Sequence, residues 1–413
     1  MPSADWTILV LNDFAYVQGG ASKVSIDEAV GLANGGYRVI FFAPVGPPCP
    51  ALSSAPLEII CLDQGELQDF KRNPLVALQG IWNVAAYRRF GQLLDTLDPA
   101  RTIIHIHGYT KALTSSPIRA AAKRGFKMVC TLHDFFSACP NGALFNYVTE
   151  TPCPLVPLSA RCVATSCDKR RYVHKLYRVL RSLIQRYAGR FPSAIHDFIT
   201  LSRRSADLLR PYIPADARLY PLDNIIEVDQ APPVAAALNR RIVAVGRLES
   251  EKGIALLLRA ATAASLGITF IGDGPLRPLV EATPGCTVTG WLPSSEVYRE
   301  LEHARCVVFP SLWYETFGLV VSEAAARGIP AIVSDVTAAA ERVIDGETGW
   351  IFKSGDAEDL SRCLLETLDD DKVTRRAAAA YAAYWAAPGT AARHVRLLGE
   401  IYSQILDGAP ART

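Results

Sequence analysis

No uninterrupted apolar run in this chain approaches the roughly 20 residues that a membrane-crossing helix requires. The opening residues, Met1-Pro2-Ser3-Ala4-Asp5-Trp6, lack a basic stretch leading into an apolar core, so no secretory leader is expected and a cytoplasmic location is the default. No short-period repeat is evident. Net charge is nearly absent as well, +2 over 413 residues. Half of the residues are hydrophobic and a fifth are charged, a balance that excludes a disordered chain and gives enough material for two ordinary domains. Paired Cys-x-x-Cys knuckles are missing. Acidic residues are almost missing from one segment: between Thr151 and His196, Asp168 stands alone.

That local shortage belongs to a wider asymmetry. Residues 1–224 hold 25 basic against 17 acidic side chains, and the remainder holds 18 against 24. The first half therefore suits an anionic partner. Its densest basic piece is 169–190, where Val173, Leu176, Tyr177, Leu180, Leu183, Ile184 and Tyr187 recur at helical spacing. Arg170, Arg171, Lys175, Arg178, Arg181 and Arg186 lie mostly elsewhere on the turn. Two readings fit: an amphipathic helix resting on an anionic membrane surface, or a helix packed on the core with a solvated basic face. Nucleic acid is not expected as a partner.

Ten cysteines are present. Cys130, Cys286 and Cys306 sit in apolar runs and read as small core residues. Cys139, Cys153, Cys162 and Cys167 cluster around a proline-rich insertion, separated by 13, 8 and 4 residues. These four could hold a structural zinc ion, but the gaps do not reproduce zinc-knuckle spacing, and a catalytic role is not expected.

Short apolar segments alternate with helical ones. Strands are expected at Thr7–Leu11, Arg38–Ala43, Thr102–His107, Lys127–Leu132 and Phe198–Leu201, with a helix after Gly19-Gly20 capped at or near Ser22. The segment Pro221–Asn239, with Ala231-Pro232-Pro233 inside it, reads as a linker. A second alternating series follows, with strands at Ile242–Val245, Ile268–Ile271, Thr287–Thr289, Cys306–Phe309 and Ala331–Val333. Pro388-Gly389 breaks the helical tail before a last amphipathic helix, Ala392–Ile405. The pattern implies two doubly wound parallel-sheet domains, with function at the carboxyl ends of the strands. The expected division is 1–224 and 225–389, with a linker at 225–239 and a final segment at 390–413.

Three segments carry chemistry. Glu315 and Glu323 stand eight residues apart in a strand–loop–helix run from Arg305 to Arg327, with Gly318 opening the helix. Backbone N–H groups at such a helix start attract an anion. Arg247 and Lys252 follow a strand and are flanked by Gly246 and Gly253. Phe270-Ile271-Gly272-Asp273-Gly274-Pro275-Leu276 forms a further strand-to-helix turn. Asp369-Asp370-Asp371 matches Asp-x-Asp by letter, but it lies between late helices and reads as a solvated cap, so no catalytic metal is expected.

Taken in order, these segments resemble the retaining, nucleotide-sugar-dependent glycosyltransferases of family four, most specifically over Arg241–Phe352. The resemblance implies a GT-B fold: two Rossmann-like domains facing a central cleft, with the last helix crossing back to the first domain. It implies transfer of a hexose from a nucleotide-diphosphate sugar to a hydroxyl acceptor, a lipid-linked or polysaccharide precursor, as in exopolysaccharide or envelope assembly. By the same resemblance Arg247 and Lys252 neutralise the diphosphate. Phe317, Gly318 and Leu319, with Gly19 and Gly20, offer backbone N–H groups to phosphate. Glu323 binds the ribose, and Glu315 and His133 face the donor sugar. No catalytic cofactor is implied. A nucleotide-sugar 2-epimerase, or an inactive nucleotide-sugar-binding protein docked on a membrane, are the alternatives.

Overall fold

A computed structural model describes residues 6–65, 75–226 and 228–408. Residue 227 of the expected linker and residues 409–413 of the expected final segment lie outside that range. The chain divides into two compact units, one made of residues 1–142, 155–225 and 389–413 and the other of 143–154 and 226–388.

Seven strands build the sheet of the first unit: β1 (Thr7–Leu11), β2 (Arg38–Ala43), β3 (Glu58–Cys61), β4 (Thr102–Ile106), β5 (Lys127–Thr131), then, after the hairpin strands β6 (Phe145–Asn146) and β7 (Thr151–Pro152) of the second unit, β8 (Asp197–Thr200) and β9 (Arg218–Pro221). Their order is β3-β2-β1-β4-β5-β8-β9, and every neighbouring pair is parallel. β1 is buried along its whole length, with Leu9 opposite Ile40 on one side and Ile104 on the other. A continuous run of branched apolar residues is what a strand covered on both faces requires. The helix Ala391–Asp407 places Leu398, Ile401, Tyr402 and Ile405 in the same core as Ile8, Val10 and Phe41. Full burial of each such aliphatic side chain contributes about 1.5–3 kcal/mol.

The second unit contains β10 (Arg241–Val245), β11 (Ile268–Ile271), β12 (Thr287–Val288), β13 (Ala304–Phe309), β14 (Ala331–Ser334) and β15 (Gly349–Phe352), in the parallel order β12-β11-β10-β13-β14-β15. The strands expected from the sequence occur within a residue or two of their bounds. β3, β9, β15 and the hairpin are additions, and β9 begins the sheet edge where the expected linker starts. The first helix opens at Gly20, with Gly19 as its cap, rather than at Ser22. Asp369 caps the helix Asp370–Ala386 by accepting from Lys372 N at 3.0 Å, and Asp370 pairs with the buried guanidinium of Arg305 at 2.5 Å.

The basic segment is a helix at Tyr172–Tyr187, and its orientation corrects one expectation. Packing of its apolar stripe on the core is overturned: Val173 is 72% exposed, Leu180 48% and Tyr187 75%, with Leu176 and Leu183 also exposed. The buried face is mostly polar instead, Lys175, Arg181, Ser182 and Gln185 with Val179 among them. Arg181 donates to Thr110 O at 2.7 Å and lies over the Phe136 ring, and Lys175 is enclosed by sulfur. Neighbouring carbonyls, a ring and thiols meet part of that face, while Arg181 Nε and Gln185 Nε2 make no hydrogen bond.

One close approach sets the geometry of the second unit's loops. Gly253 has φ +70°, and a Cβ built there would lie 2.0 Å from the Pro310 carbonyl oxygen. We predict that Gly253→Ala destabilises the second unit by more than about 1 kcal/mol, through both backbone strain and collision. Urea unfolding followed by fluorescence checks this, and an unchanged midpoint would refute it.

Candidate active site

The loop after β10 carries Arg247 and turns through Ser250–Lys252 before the helix Ile254–Ala264. The loop after β13 carries Glu315. The two are joined by backbone, with Leu312 N donating to Glu251 O at 2.9 Å. This brings together two residues 63 apart in sequence: Lys252 Nζ donates to Glu315 Oε1 at 2.5 Å. The same oxygen accepts from Trp313 Nε1 at 2.8 Å and Ser311 Oγ at 2.9 Å. Lys252 also stands 5.2 Å from the Trp313 ring centroid. Three donors on one oxygen fix the carboxylate and leave Oε2 outside that group. Glu315 itself has φ +49°, a left-handed conformation rare for such a residue and typical of strained functional loops.

Gly318 also has positive φ, +87°, and a Cβ there would meet Ala339 Cβ at 2.6 Å. It caps the helix Leu319–Ala326 without any side-chain cap bond, so the first-turn N–H groups are not consumed by a neighbouring side chain of the cap. Phe317 is buried, with the Arg342 guanidinium 3.6 Å from its ring centroid. Glu323, one turn deeper, accepts from Tyr298 OH at 3.2 Å. Arg247 does not join Lys252 at Glu315. It is 65% exposed and pairs with Glu249 at 2.8 Å. Trp291, after β12, is 78% exposed. Ser311, Trp313 and Tyr298 were not singled out from the sequence. Trp313 and Ser311 lie inside the Glu315 segment, and that proximity was the available signal.

In the first unit, Gly19 has an extended backbone and a Cβ there would meet nothing within 4 Å. Its glycine is therefore not demanded by packing, and it leaves open space beside the helix start at Gly20. Asp13, which the sequence did not mark, organises the loop after β4 by accepting from the N–H groups of Lys111, Ala112 and Leu113, each at 2.8 Å. His133 follows β5. Burial, reinforced by the neighbouring His107, pushes it down to about 3. Burial pushes the adjacent Asp134 up to about 6.

His133 belongs to a buried network. Its Nε2 lies 2.9 Å from His107 Nδ1, and His107 Nε2 lies 3.2 Å from Glu28 Oε2. Glu28 Oε1 lies 2.9 Å from His394 Nε2, whose Nδ1 donates to Asp223 O at 2.7 Å. His105 uses Nδ1 for Tyr402 OH and Nε2 for Thr131 Oγ1, both at 2.7 Å. Glu28, His105 and His107 thus bring three potential ligand atoms within 4.8 Å of one another, with Glu28 Oε2 and His107 Nε2 buried and making no hydrogen bond. Burial alone would raise Glu28, but the imidazoles of His107 and His394 hold it well below the usual carboxylate range. Burial alone would lower His394, but Glu28 raises it above the ordinary imidazole value.

The cysteine quartet is divided between the units. Cys139, Cys162 and Cys167 are buried in the first, and Cys153 follows the second unit's hairpin. All ten cysteines are free thiols. Lys175 Nζ donates to Cys167 Sγ at 2.9 Å and to Cys162 Sγ at 3.6 Å.

A family model described as Glycosyltransferase Family 4 matches residues 18–230, and one described as Glycosyl transferases group 1 matches 239–370. The chain belongs to glycosyltransferase family 4. Among curated relatives, this family 4 chain is 34% identical over 148 residues to a glycogen synthase of Mycobacterium tuberculosis, covering 33% of this chain and 36% of that one. It is 34% identical over 144 residues to sulfoquinovosyl transferase SQD2 of Arabidopsis thaliana, covering 32% and 27%. The chain thus spans about a third of the length of these relatives. Among solved structures, Anabaena HepE in complex with UDP and glucose matches with a TM-score of 0.64 at 17% identity, over 97% of this chain and 100% of that one. A Rickettsia africae glycosyltransferase matches with a TM-score of 0.68 at 16% identity, over 98% and 100%. The fold is GT-B, with two Rossmann-like parallel-sheet units.

The buried pair Glu28–His394 makes a pH prediction. His394 is raised, so its contribution is complete below an unfolded value of about 6.5 and disappears as pH rises through the folded value. Glu28 is lowered, so its contribution is present above about 4.3 and disappears as pH falls through the folded value. We predict that Glu28→Gln costs about 3–5 kcal/mol. The deficit should be largest between roughly pH 5 and 6.5 and shrink towards pH 9. Paired urea titrations of wild type and variant at several pH values measure it, and a pH-independent deficit would contradict the pairing.

Proposed function

We propose that this protein is a retaining, metal-independent hexosyltransferase that moves sugar from a nucleotide-diphosphate donor to a hydroxyl on a lipid-linked or saccharide acceptor. The observation that carries the reading is the convergence of Lys252, Ser311 and Trp313 on one oxygen of Glu315, beside a helix start at Gly318. Breaking the anomeric bond puts negative charge on the leaving diphosphate and positive charge on the sugar ring. Lys252 and Arg247 stabilise the first, at about 4 kcal/mol for a unit charge 4 Å away at intermediate dielectric. The N–H groups at Phe317, Gly318 and Leu319, and those at Gly19 and Gly20, supply further donors to phosphate. Glu315 bonds a ring hydroxyl and stabilises the developing cation. Glu323 accepts from the ribose, a charge-assisted bond of about 1.5–3 kcal/mol. His133 contacts the donor sugar. In front-face substitution the leaving phosphate takes the acceptor's proton, so the anomeric configuration is retained.

Names of relatives support the donor and acceptor classes. HepE binds UDP and glucose, and a Mycobacterium leprae relative, 27% identical over 38% of this chain, is a phosphatidyl-myo-inositol mannosyltransferase. A panel of nucleotide sugars, assayed for free nucleotide diphosphate in the presence of EDTA, tests the function. Turnover is expected to survive the chelator, and Arg247→Ala and Lys252→Ala should each lower it on the order of 10–100-fold while the protein stays folded. Full turnover in both variants would remove the phosphate assignment, and appearance of an epimerised donor without transfer would favour the isomerase reading.

The acceptor lies at an anionic membrane surface in this proposal. Val173, Leu176, Leu180, Leu183 and Tyr187 form one exposed apolar stripe on the Tyr172–Tyr187 helix, beside exposed Lys169, Arg170, Arg171 and Arg190. Each basic residue near an anionic surface contributes about 1 kcal/mol, and the stripe inserts at the headgroup boundary. Co-sedimentation with phosphatidylglycerol vesicles is expected, with little on phosphatidylcholine and loss in Leu176→Asp/Leu180→Asp. Equal binding to both lipids, or an unaffected double variant, would rule the helix out as the anchor.

A further inference from the structure

Lys175 lies on the inner face of the Tyr172–Tyr187 helix and is 1% exposed. Buried charges are ordinarily paired with an opposite charge. Among the described residues no carboxylate pairs with this one, and the nearest acid in sequence, Asp168, faces Arg178 at 3.1 Å. The lysine nitrogen meets two sulfurs instead, Cys167 Sγ at 2.9 Å and Cys162 Sγ at 3.6 Å. We propose that Lys175 and Cys167 form a covalent modification site, at which a hydroperoxide joins Nζ to Sγ as a sulfenamide.

The reaction balances with a single molecule of oxidant. Peroxide transfers an oxygen to the Cys167 sulfur, giving a sulfenic acid and water. The Lys175 amine then attacks that sulfur. The S–O bond breaks, and the departing hydroxide takes a proton from nitrogen and leaves as a second water. Sulfur is oxidised by two electrons and peroxide is reduced by two, so that thiol, amine and hydrogen peroxide become S–NH and two waters. The amine must be unprotonated to attack, and the setting arranges this. Burial alone would lower Lys175, but its bond to Cys167, with the charges of Cys167, Cys162 and Cys139, raises it. Conversion of Cys167 to a sulfenic acid removes the leading raising cause, and burial then favours the neutral amine. The nucleophile is thus released as the electrophile forms, at atoms 2.9 Å apart.

The neighbouring thiols compete less well. Cys139 Sγ donates to Asn141 Oδ1 at 3.0 Å, and Asn141 Nδ2 stands 3.7 Å from Cys167 Sγ, so the amide lies between that pair of cysteines. A Cys162–Cys167 disulfide would consume both of the sulfurs that Lys175 meets and strand a buried ammonium. Cys167 is 4% exposed, which disfavours exchange with a bulky disulfide against reaction with a small peroxide. The new bond would tie the buried face of the helix to the segment that precedes it.

Peptide mapping of the full chain tests this. The protein is reduced, freed of reductant, treated with a small excess of hydrogen peroxide, capped with iodoacetamide and digested with trypsin. The wild type should yield residues 162–169 joined to residues 172–178 through Cys167 and Lys175. The joined species should be uncut after Lys175 and lighter by two hydrogens than the pair with both side chains unmodified. Excess thiol should separate the peptides, since it attacks the sulfur and frees the amine. Cys162→Ser should still form the cross-link, and should that variant fold poorly the wild-type map decides alone. A Cys162–Cys167 disulfide within 162–169, a sulfenic or sulfinic acid at Cys167 beside a cleavable Lys175, or an unreacted Cys167 would each overturn the inference.

Discussion

A backbone contact in which no side chain takes part governs the second unit. The α-carbon of Gly253 sits so close to the Pro310 carbonyl that no larger residue fits, and Leu312 N reaches back to Glu251 O. Those contacts hold the loop after β10 against the loop after β13. Lys252 and Glu315 meet only because the loops do. Trp313 and Ser311 then complete the set of donors on Glu315, and the positive φ of Glu315 aims the carboxylate. Remove the close approach and each of these residues keeps its identity but loses its neighbour. Side-chain chemistry here depends on main-chain geometry, as expected where a rigid sheet presents functional loops.

The first unit solves a different problem, that of burying charge. Glu28, His105, His107 and His394 are all 3% exposed or less. Most of their polar atoms meet a group of complementary role, Glu28 Oε2 and His107 Nε2 being the exceptions, and the matches extend across segments far apart in sequence. The bonds that are made fix ring orientations that packing alone would leave free, and His133 stands at the edge of the group.

How much of this was legible depends on the scale of the signal. Glu315, Glu323, Arg247 and Lys252 stood out because each sits in a glycine-punctuated strand-to-helix turn. The meeting of Lys252 with Glu315 did not, because 63 residues separate them and local pattern carries no such distance information. Arg247 illustrates the same limit: spacing put it beside Lys252, and the structure turns it to Glu249. Periodicity identified which residues of 169–190 share a face but not the direction of that face, which thiols, a carbonyl and the Phe136 ring decide. Glu28 was invisible, being one acid in an ordinary helix, and only its partners on β4 and the last helix give it meaning. β9 was not expected because its run is only four residues long and ends on Pro221, a poor strand former acceptable at a sheet edge, where the expected linker begins.

The helix Ala391–Asp407 carries a lesson about biosynthesis. It contributes Tyr402 and His394 to the interior of a unit whose strands all end by Pro221. A ribosome finishes those strands long before it makes the piece that completes them. At about 5–20 residues per second the nascent first unit waits on the order of ten to forty seconds, with Glu28 lacking its counter-ion and a hydrophobic groove uncovered. The second unit, whose elements are nearly contiguous in the message, can mature during that pause. The half made first is the half that closes last, and the interval is when holdase chaperones have most to bind.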